Sequence, residues 1–600
     1  MMGKRHIGLS AVASAALLFG LAPSVSAAPE PAQTEAFQAI VRDYETFWRS
    51  DDPVGAGNRG DQAALARLPD PSFAADQHRK GILTRLAERL QRLDPRGLSE
   101  ADQLNLALLH HQIDDTRAEL ADDAARLPFT AYWSFSSFGP DLGRSTHLTS
   151  LAEANAYLTR LGGLASYYDA QIANARRGLA TGFTQPKRIV LVSLATAKRE
   201  AETPLATSSM LAPLKASDLP VSAEERQALV QKAQVLLETQ ILPAQKRIVA
   251  FLQDEDLPKA RETLAIRDVP GGEAYYRHCI RHFTTTDLGP DEIHEIGLAE
   301  VRHLRAEMEK LVAATGFSGS FAEFLKYLRT DPQFYAKSRE ELLLRYRAKA
   351  KEIDPLLPRL IGKLPRLTYG VRPIPDATEE GQTTAYYEQG APERGEAGYV
   401  GVNLSHLDQR PLYEIPTLLL HEGAPGHHVQ LALAEEIKDQ PEFRRRLDFT
   451  AFVEGWALYA EQLGKETDLY ATLYERFSQL SYDMWRACRL VADTGVHWKR
   501  WTLDQARACF LENTALSQHN IDTEVDRYIS WPGQALGYKI GELRIMALRH
   551  EAEAALGDRF DLRAFHDMVL SGGAQPLDIL EARVRAWIAT QAPRPRIQTP

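Results

Sequence analysis

The chain has 600 residues, 44% of them hydrophobic, with 70 basic and 80 acidic side chains and a formal net charge of -10. That length supports a large core, and the acidic balance argues against a phosphate-binding surface, so no nucleic-acid partner is expected. The three cysteines, Cys279, Cys488 and Cys509, are too few for a disulfide scaffold. In an exported protein Cys488 can pair with Cys509; buried free thiols are the alternative.

The first residues predict export. Lys4, Arg5 and His6 precede an apolar run from Ile7 to Leu21, and small residues follow at Ser24-Val-Ser-Ala27. This is the pattern of a secretory signal peptide cleaved after about Ala27. An N-terminal membrane anchor is the alternative, but the run falls short of the roughly 20 apolar residues that span a bilayer. No Cys stands at the cleavage point, so a lipid anchor is not expected. The mature protein is expected to be periplasmic or secreted, with no membrane partner. Residues 28–600 read as one helical unit, 28–360 forming an N-terminal helical part and 361–600 the part that carries a metal site.

Apolar residues at three- and four-residue spacing predict amphipathic helices from Asp61 to Leu93, Ser99 to Leu127, Leu148 to Arg177, Ser222 to Asp254 and Asp291 to Thr315. Ser222-Ala-Glu-Glu225 is a capping box, and Pro290-Asp-Glu292 places Pro and acids in a first turn. Only Leu367 to Leu404 reads as strand, ending in Gly398-Tyr-Val-Gly-Val-Asn-Leu404. The expected fold class is mainly α, with one small hairpin or sheet beside a metal helix and a deep cleft.

The chemistry is concentrated in His421-Glu-Gly-Ala-Pro-Gly-His-His428. Zinc takes neutral imidazole and carboxylate, three protein ligands in a catalytic site. In the common His-Glu-x-x-His motif the imidazoles stand four apart on one helix face. Here His427 is six residues from His421 and His428 is seven. On a regular helix His428 would lie about 10 Å along the axis from His421, too far to share an ion. The backbone must therefore be irregular. Pro425 lacks an N–H and clashes with a helical continuation, and Gly423 and Gly426 permit unusual dihedrals. If two residues loop out around Ala424-Pro425, His427 takes the place of the second zincin His, though His428 stays open. Glu422 is placed to act as general base on water. Glu454 and Glu461 share a face of the segment Phe452-Val-Glu-Gly-Trp-Ala-Leu-Tyr-Ala-Glu461. Glu454 is the expected third ligand, and Glu461 the carboxylate that orients an imidazole.

The segments HEGAPGHHVQ, EGWALYAE, RLVADTGVHWKRW and RYISWPGQALGYKIGELRI resemble the bacterial family known as domain of unknown function 885. Gly271-Gly-Glu-Ala-Tyr-Tyr276 and Asp291-Glu-Ile-His-Glu-Ile296 extend the likeness over most of the mature chain. The zinc motif is similar to that of the gluzincin peptidases that include thimet oligopeptidase, neurolysin, angiotensin-converting enzyme and carboxypeptidase Taq. The spacing of the histidines departs from theirs. The resemblance implies a zincin-like helical peptidase holding one Zn2+ ion and acting on peptides. It implies that the strand with Tyr399 and Val400 pairs with substrate backbone. It also implies that Tyr538, or else Tyr528, stabilises an oxyanion. Arg489, Asp493 and His497 share a helix stripe, where Arg489 either pairs with Asp493 or, like His497, reads a substrate carboxylate.

The expected function is zinc-dependent hydrolysis of peptide bonds in short peptides. A metal-dependent hydrolase of non-peptide amides and a non-catalytic exported helical metal-binding protein are the alternatives.

Overall fold

The caps fix where the helices begin. A computed structural model describes residues 30–376, 379–392 and 395–591; the segment expected to be a signal peptide lies outside the described residues. The first expected helix starts late. Pro69 and Pro71 bias the residues before them away from the helical region, and helix α1 (Phe73–Leu90) begins only where the Ser72 hydroxyl accepts the Ala75 N–H. Helix α2 (Glu100–Asp122) is capped by Ser99. The third segment divides at Gly162-Gly163 into α3 (Leu151–Gly162) and α4 (Leu164–Thr181). The Ser222/Glu225 capping box forms and starts α5 (Ala223–Leu236). That helix runs on through widened turns at Leu237–Ile241 and Phe251–Asp256, each followed closely by a proline, Pro243 or Pro258, that cannot continue regular helical hydrogen bonding. Helix α6 (Pro290–Ala314) follows, with Pro290 in its first turn.

Three strands form one small mixed sheet: β1 (Tyr369–Pro373), β2 (Ala385–Glu388) and β3 (Gly398–Val402). Their order is β1-β3-β2, with β1 parallel and β2 antiparallel to β3. The strand expected at the cleft edge, β3, is therefore the central one. Val400 pairs with Val371 on one side and Tyr387 on the other, so neither edge of β3 is open to a peptide. The outer strand beside the motif is β2.

The C-terminal part is helical: α7 (Ile415–Glu422), α8 (His427–Glu435), α9 (Thr450–Glu466), α10 (Leu473–His497), α11 (Leu503–Asn513), α12 (Gln518–Ser530) and α13 (Gly537–Leu556). Two buried clusters form the core, and α10 lends side chains to both, Leu490 to one and Met484 to the other. This explains why nearly the whole of α10 is buried from Phe477 onward. A disulfide joins Cys488 of α10 to Cys509 of α11, Cα atoms 5.7 Å apart, and Cys279 is free and buried. Helices α9 and α13 meet at glycines: a Cβ on Gly541 would lie 1.8 Å from the Ala451 carbonyl oxygen. That close approach brings the first turn of α13 to the Glu454 turn of α9.

Candidate metal centre

Helix α7 ends at Glu422 and α8 begins at His427. The four residues between form a tight loop with a cis Ala424–Pro425 peptide. Gly423 (φ -94°, ψ -121°) and Gly426 (φ -71°, ψ -130°) sit at its two ends. A Cβ on Gly426 would stand 2.0 Å from the carbonyl oxygen of His421, so only glycine lets the chain double back here. The His428 N–H donates to the Gly423 carbonyl at 3.1 Å, and the Trp456 indole N–H of α9 donates to the Pro425 carbonyl at 2.9 Å.

The loop places His421 and His427 side by side, ring centroids 4.8 Å apart and edge to face. Nε2 of His421 lies 3.5 Å, and Nε2 of His427 3.6 Å, from the same Oε2 of Glu454. The three donor atoms all lie within 4.8 Å of one another. An ion at about 2.0–2.1 Å from tetrahedral ligands needs donors roughly 3.3 Å apart, so this set can hold one. Among the described residues Oε2 of Glu454 has no hydrogen-bond partner although it is buried, a costly state for a carboxylate without a cation. On its other side, His421 Nδ1 is 2.8 Å from Oε1 of Glu461, which is 1% exposed. Arg486 approaches that same oxygen at 3.5 Å, and the Tyr470 hydroxyl donates to the Glu461 carbonyl.

The electrostatics agree with the geometry. Burial opposes a charge on His421, yet Glu454 and Glu461 outweigh it and raise its pKa to about 9. Burial likewise opposes ionisation of Glu454, and the two histidines hold its carboxyl well below the usual range. The cluster favours one added positive charge, as a proton or a metal ion.

Glu422 closes α7 beside this cluster, and its Oε2 accepts the Tyr387 N–H of β2 at 2.9 Å. His428 does not join the cluster. One residue beyond His427, it points about 100° away around α8, and its Nδ1 meets the Tyr387 hydroxyl at 3.0 Å. Its ring lies 4.6 Å from that of Tyr369, and burial lowers its pKa to about 4.

Tyr538 stands in the first turn of α13. Burial raises its pKa first, and the Glu454 carboxylate raises it further, so its phenol lies within the field of the cluster. Its hydroxyl accepts from Arg527 at 3.2 Å. Tyr528 faces elsewhere: its hydroxyl donates to Glu524 at 2.5 Å and accepts from Arg489 at 3.0 Å. Arg489 also pairs with Glu524 at 2.9 Å rather than with Asp493, which accepts the Tyr276 hydroxyl at 2.6 Å and the Gly533 N–H. His497 is fully buried, between the Ile266 N–H at 3.2 Å and the Tyr528 carbonyl at 2.8 Å; it is a core histidine and not a cleft residue. Tyr399 lies under the Arg372 guanidinium, 4.3 Å from its ring centroid, and Val400 is fully buried; neither presents an open strand edge. The sequence reading missed Tyr387, Arg486 and Arg527. Tyr387 had a legible signal, an aromatic pair in the strand-forming region; Arg486 and Arg527 had none beyond their type.

Fold and site together define a mainly helical protein with a small mixed sheet and a histidine-carboxylate cluster able to hold a metal. The chain belongs to the family described as bacterial protein of unknown function (DUF885), whose model matches residues 53–584. No curated protein matches it. A crystal structure titled as the putative lipoprotein from Colwellia psychrerythraea is similar at 26% identity and a TM-score of 0.86, covering 93% of this chain and 99% of that one. A structure titled as a putative lipoprotein of unknown function from Shewanella oneidensis shares the fold at 17% identity and a TM-score of 0.72, covering 91% and 99%.

Proposed function

We propose that the protein is an exported zinc-dependent peptidase. The observation that carries this reading is the convergence of His421, His427 and Glu454 on one point, with the buried Oε2 of Glu454 unpartnered and the Glu422 carboxylate at the end of the same helix. His421, His427 and Glu454 would hold the ion, with Glu461 orienting His421 through Nδ1. When bound, zinc supplies Lewis acidity, acidifying water and polarising a carbonyl. Glu422 keeps Oε2 on the Tyr387 N–H and uses Oε1 to take a proton from water and pass it to the leaving amine. Tyr538 donates its hydroxyl proton as a hydrogen bond to the developing oxyanion. The substrate lies along the side of the site bounded by β2.

Export is supported by the leader, by the Cys488–Cys509 disulfide, which suits an oxidising compartment, and by the lipoprotein titles of the similar structures. No described helix is long and apolar enough to cross a membrane. The test is metal analysis of the purified mature protein together with its digestion of a peptide library and a set of small amides. Near-stoichiometric zinc and cleaved peptides support the reading; metal-free protein, or amides cut in preference to peptides, contradicts it.

A further inference from the structure

Two guanidiniums beside Tyr538 share one ion-pair partner. Arg489 and Arg527 both approach Glu524, Arg489 at 2.9 Å to Oε2 and Arg527 at 3.7 Å to Oε1. Among the described residues Glu524 is the ion-pair partner of each, so two guanidiniums share one carboxylate. Arg489 is fully engaged: its side chain is 5% exposed, it bonds Tyr528 and Glu524, and it stacks 4.3 Å over the Tyr538 ring. Arg527 is the less closely paired of the two. Its Nη2 donates to Gln534 at 2.7 Å and to the Tyr538 hydroxyl at 3.2 Å, both neutral acceptors. Its Nε is buried without a hydrogen-bond partner. A half-buried guanidinium with an idle donor is costly unless an anion completes it, and its planar fork is matched by a carboxylate.

Arg527 also occupies a telling place. On one side its partner Tyr538 lies in the field of Glu454. On the other, its guanidinium is 5.7 Å from the ring of Tyr132, which is 71% exposed. The Tyr132 turn is fixed to α12 by the Ala131 N–H donating to the Ser530 hydroxyl. Arg527 thus stands between an exposed aromatic ring and Tyr538.

We propose that Arg527 is the receptor for a substrate carboxylate, so that the favoured substrates are peptides whose free C-terminus lies within a few residues of the bond cleaved. This rests on the peptidase reading for what happens at the cluster, but the binding event does not. An extended peptide covers roughly 3.3–3.6 Å per residue, so a carboxylate held one tyrosine away from the cluster leaves space for only a few residues between. The carboxylate-reading role left open for Arg489 falls to its neighbour, because Arg489 is held by Glu524 at 2.9 Å.

The probes are the tripeptide Ala-Ala-Phe and its C-terminal amide. Their binding to zinc-loaded Glu422→Gln protein is measured by calorimetry, and their hydrolysis by the wild type is followed in parallel. The expected result is binding of the free acid at least tenfold tighter than the amide, with the ratio collapsing to about one when Arg527→Gln is added. Arg527→Lys keeps a charge and retains part of the ratio, which separates charge recognition from misfolding. In hydrolysis, Arg527→Gln should raise KM at least tenfold more for the acid than for the amide. Equal binding of the two probes, no binding of either, or a ratio that survives Arg527→Gln overturns the proposal. So does an equal fall in kcat on both substrates, which would mean that Arg527 acts only through Tyr538. If the wild type cleaves neither probe nor any other peptide, the peptidase reading fails, and the acid-to-amide binding ratio still decides the role of Arg527.

Discussion

Two groups of buried titratable side chains in this molecule differ in one respect. Around the α7–α8 loop, His421, His427 and Glu454 crowd together, and an oxygen of Glu454 is left without a hydrogen-bond partner. Along α10, His497 and Asp493 are as deeply buried, yet each is fully engaged by neutral partners: Ile266 and Tyr528 for the histidine, Tyr276 and Gly533 for the aspartate. Burial drives His497 to a pKa of about 3 and Asp493 to about 7, towards their neutral forms. The cluster instead draws charge, with His421 raised to about 9 by the carboxylates that overcome its burial. Residue type does not separate a site from a core here. The separation comes from whether each polar atom already has its partner.

Substitutions can break this comparison. The largest effect is expected on ligation. His421→Ala, His427→Ala and Glu454→Ala should each abolish tight zinc binding, whereas His428→Ala and His497→Ala should stay loaded; zinc per chain after dialysis is the readout. A fully loaded His427→Ala with an empty His428→Ala would mean that the loop is misplaced by one residue. Next comes Tyr538→Phe, which should lower kcat by roughly 10²-fold, the scale of one lost oxyanion donor, with KM and zinc content little changed. An unchanged kcat would leave Tyr538 as a core aromatic.

On the α10 side the effects should be on stability alone. His497→Ala leaves the Ile266 N–H and Tyr528 carbonyl unpaired and should cost roughly 1–3 kcal/mol for each group stranded, seen as a lower denaturation midpoint with zinc retained. The smallest effect is a pH dependence. The folded pKa of Asp493, about 7, stands above the unfolded value of about 3.9. Its contribution is therefore fully present below pH 4 and lost as pH rises through 7. Asp493→Asn should flatten the fall in stability between those limits. Parallel wild-type and mutant unfolding curves at pH 4 and pH 8 would remove Asp493 as the cause.

Much of the fold was legible because its signals are local. The Ser222 capping box and the Pro290 helix start appear where expected, and the one β-rich region supplies all three described strands. Asp61 to Pro71 misled because helical periodicity continued through two prolines that forbid the helix. The strand order was not legible. Nothing in Gly398–Val402 says that β1 and β2 flank it on both sides, since register and neighbours are tertiary. The His421–His427 pairing was legible in the loop's Gly and Pro residues, and the structure seats His427 beside His421. The spacing of Arg489, Asp493 and His497 shows a shared helix stripe and left an Arg489–Asp493 pair and a substrate-reading role both open, but their partners come from Ile266, Glu524, Gly533 and Tyr276, outside that helix. For the same reason Arg527 carried no signal: its significance lies in a shared ion-pair partner that only the packed helices create.

The central claim is that Glu422 moves a proton at a metal held by its neighbours. It is tested most directly by measuring zinc content and peptide hydrolysis together in the Glu422→Gln protein. The amide keeps the shape and can still accept the Tyr387 N–H, but it cannot take a proton from water. The account predicts full zinc loading with hydrolysis reduced by about 10²–10⁴-fold, the range for a lost general base. Wild-type hydrolysis by a fully zinc-loaded Glu422→Gln protein would contradict it.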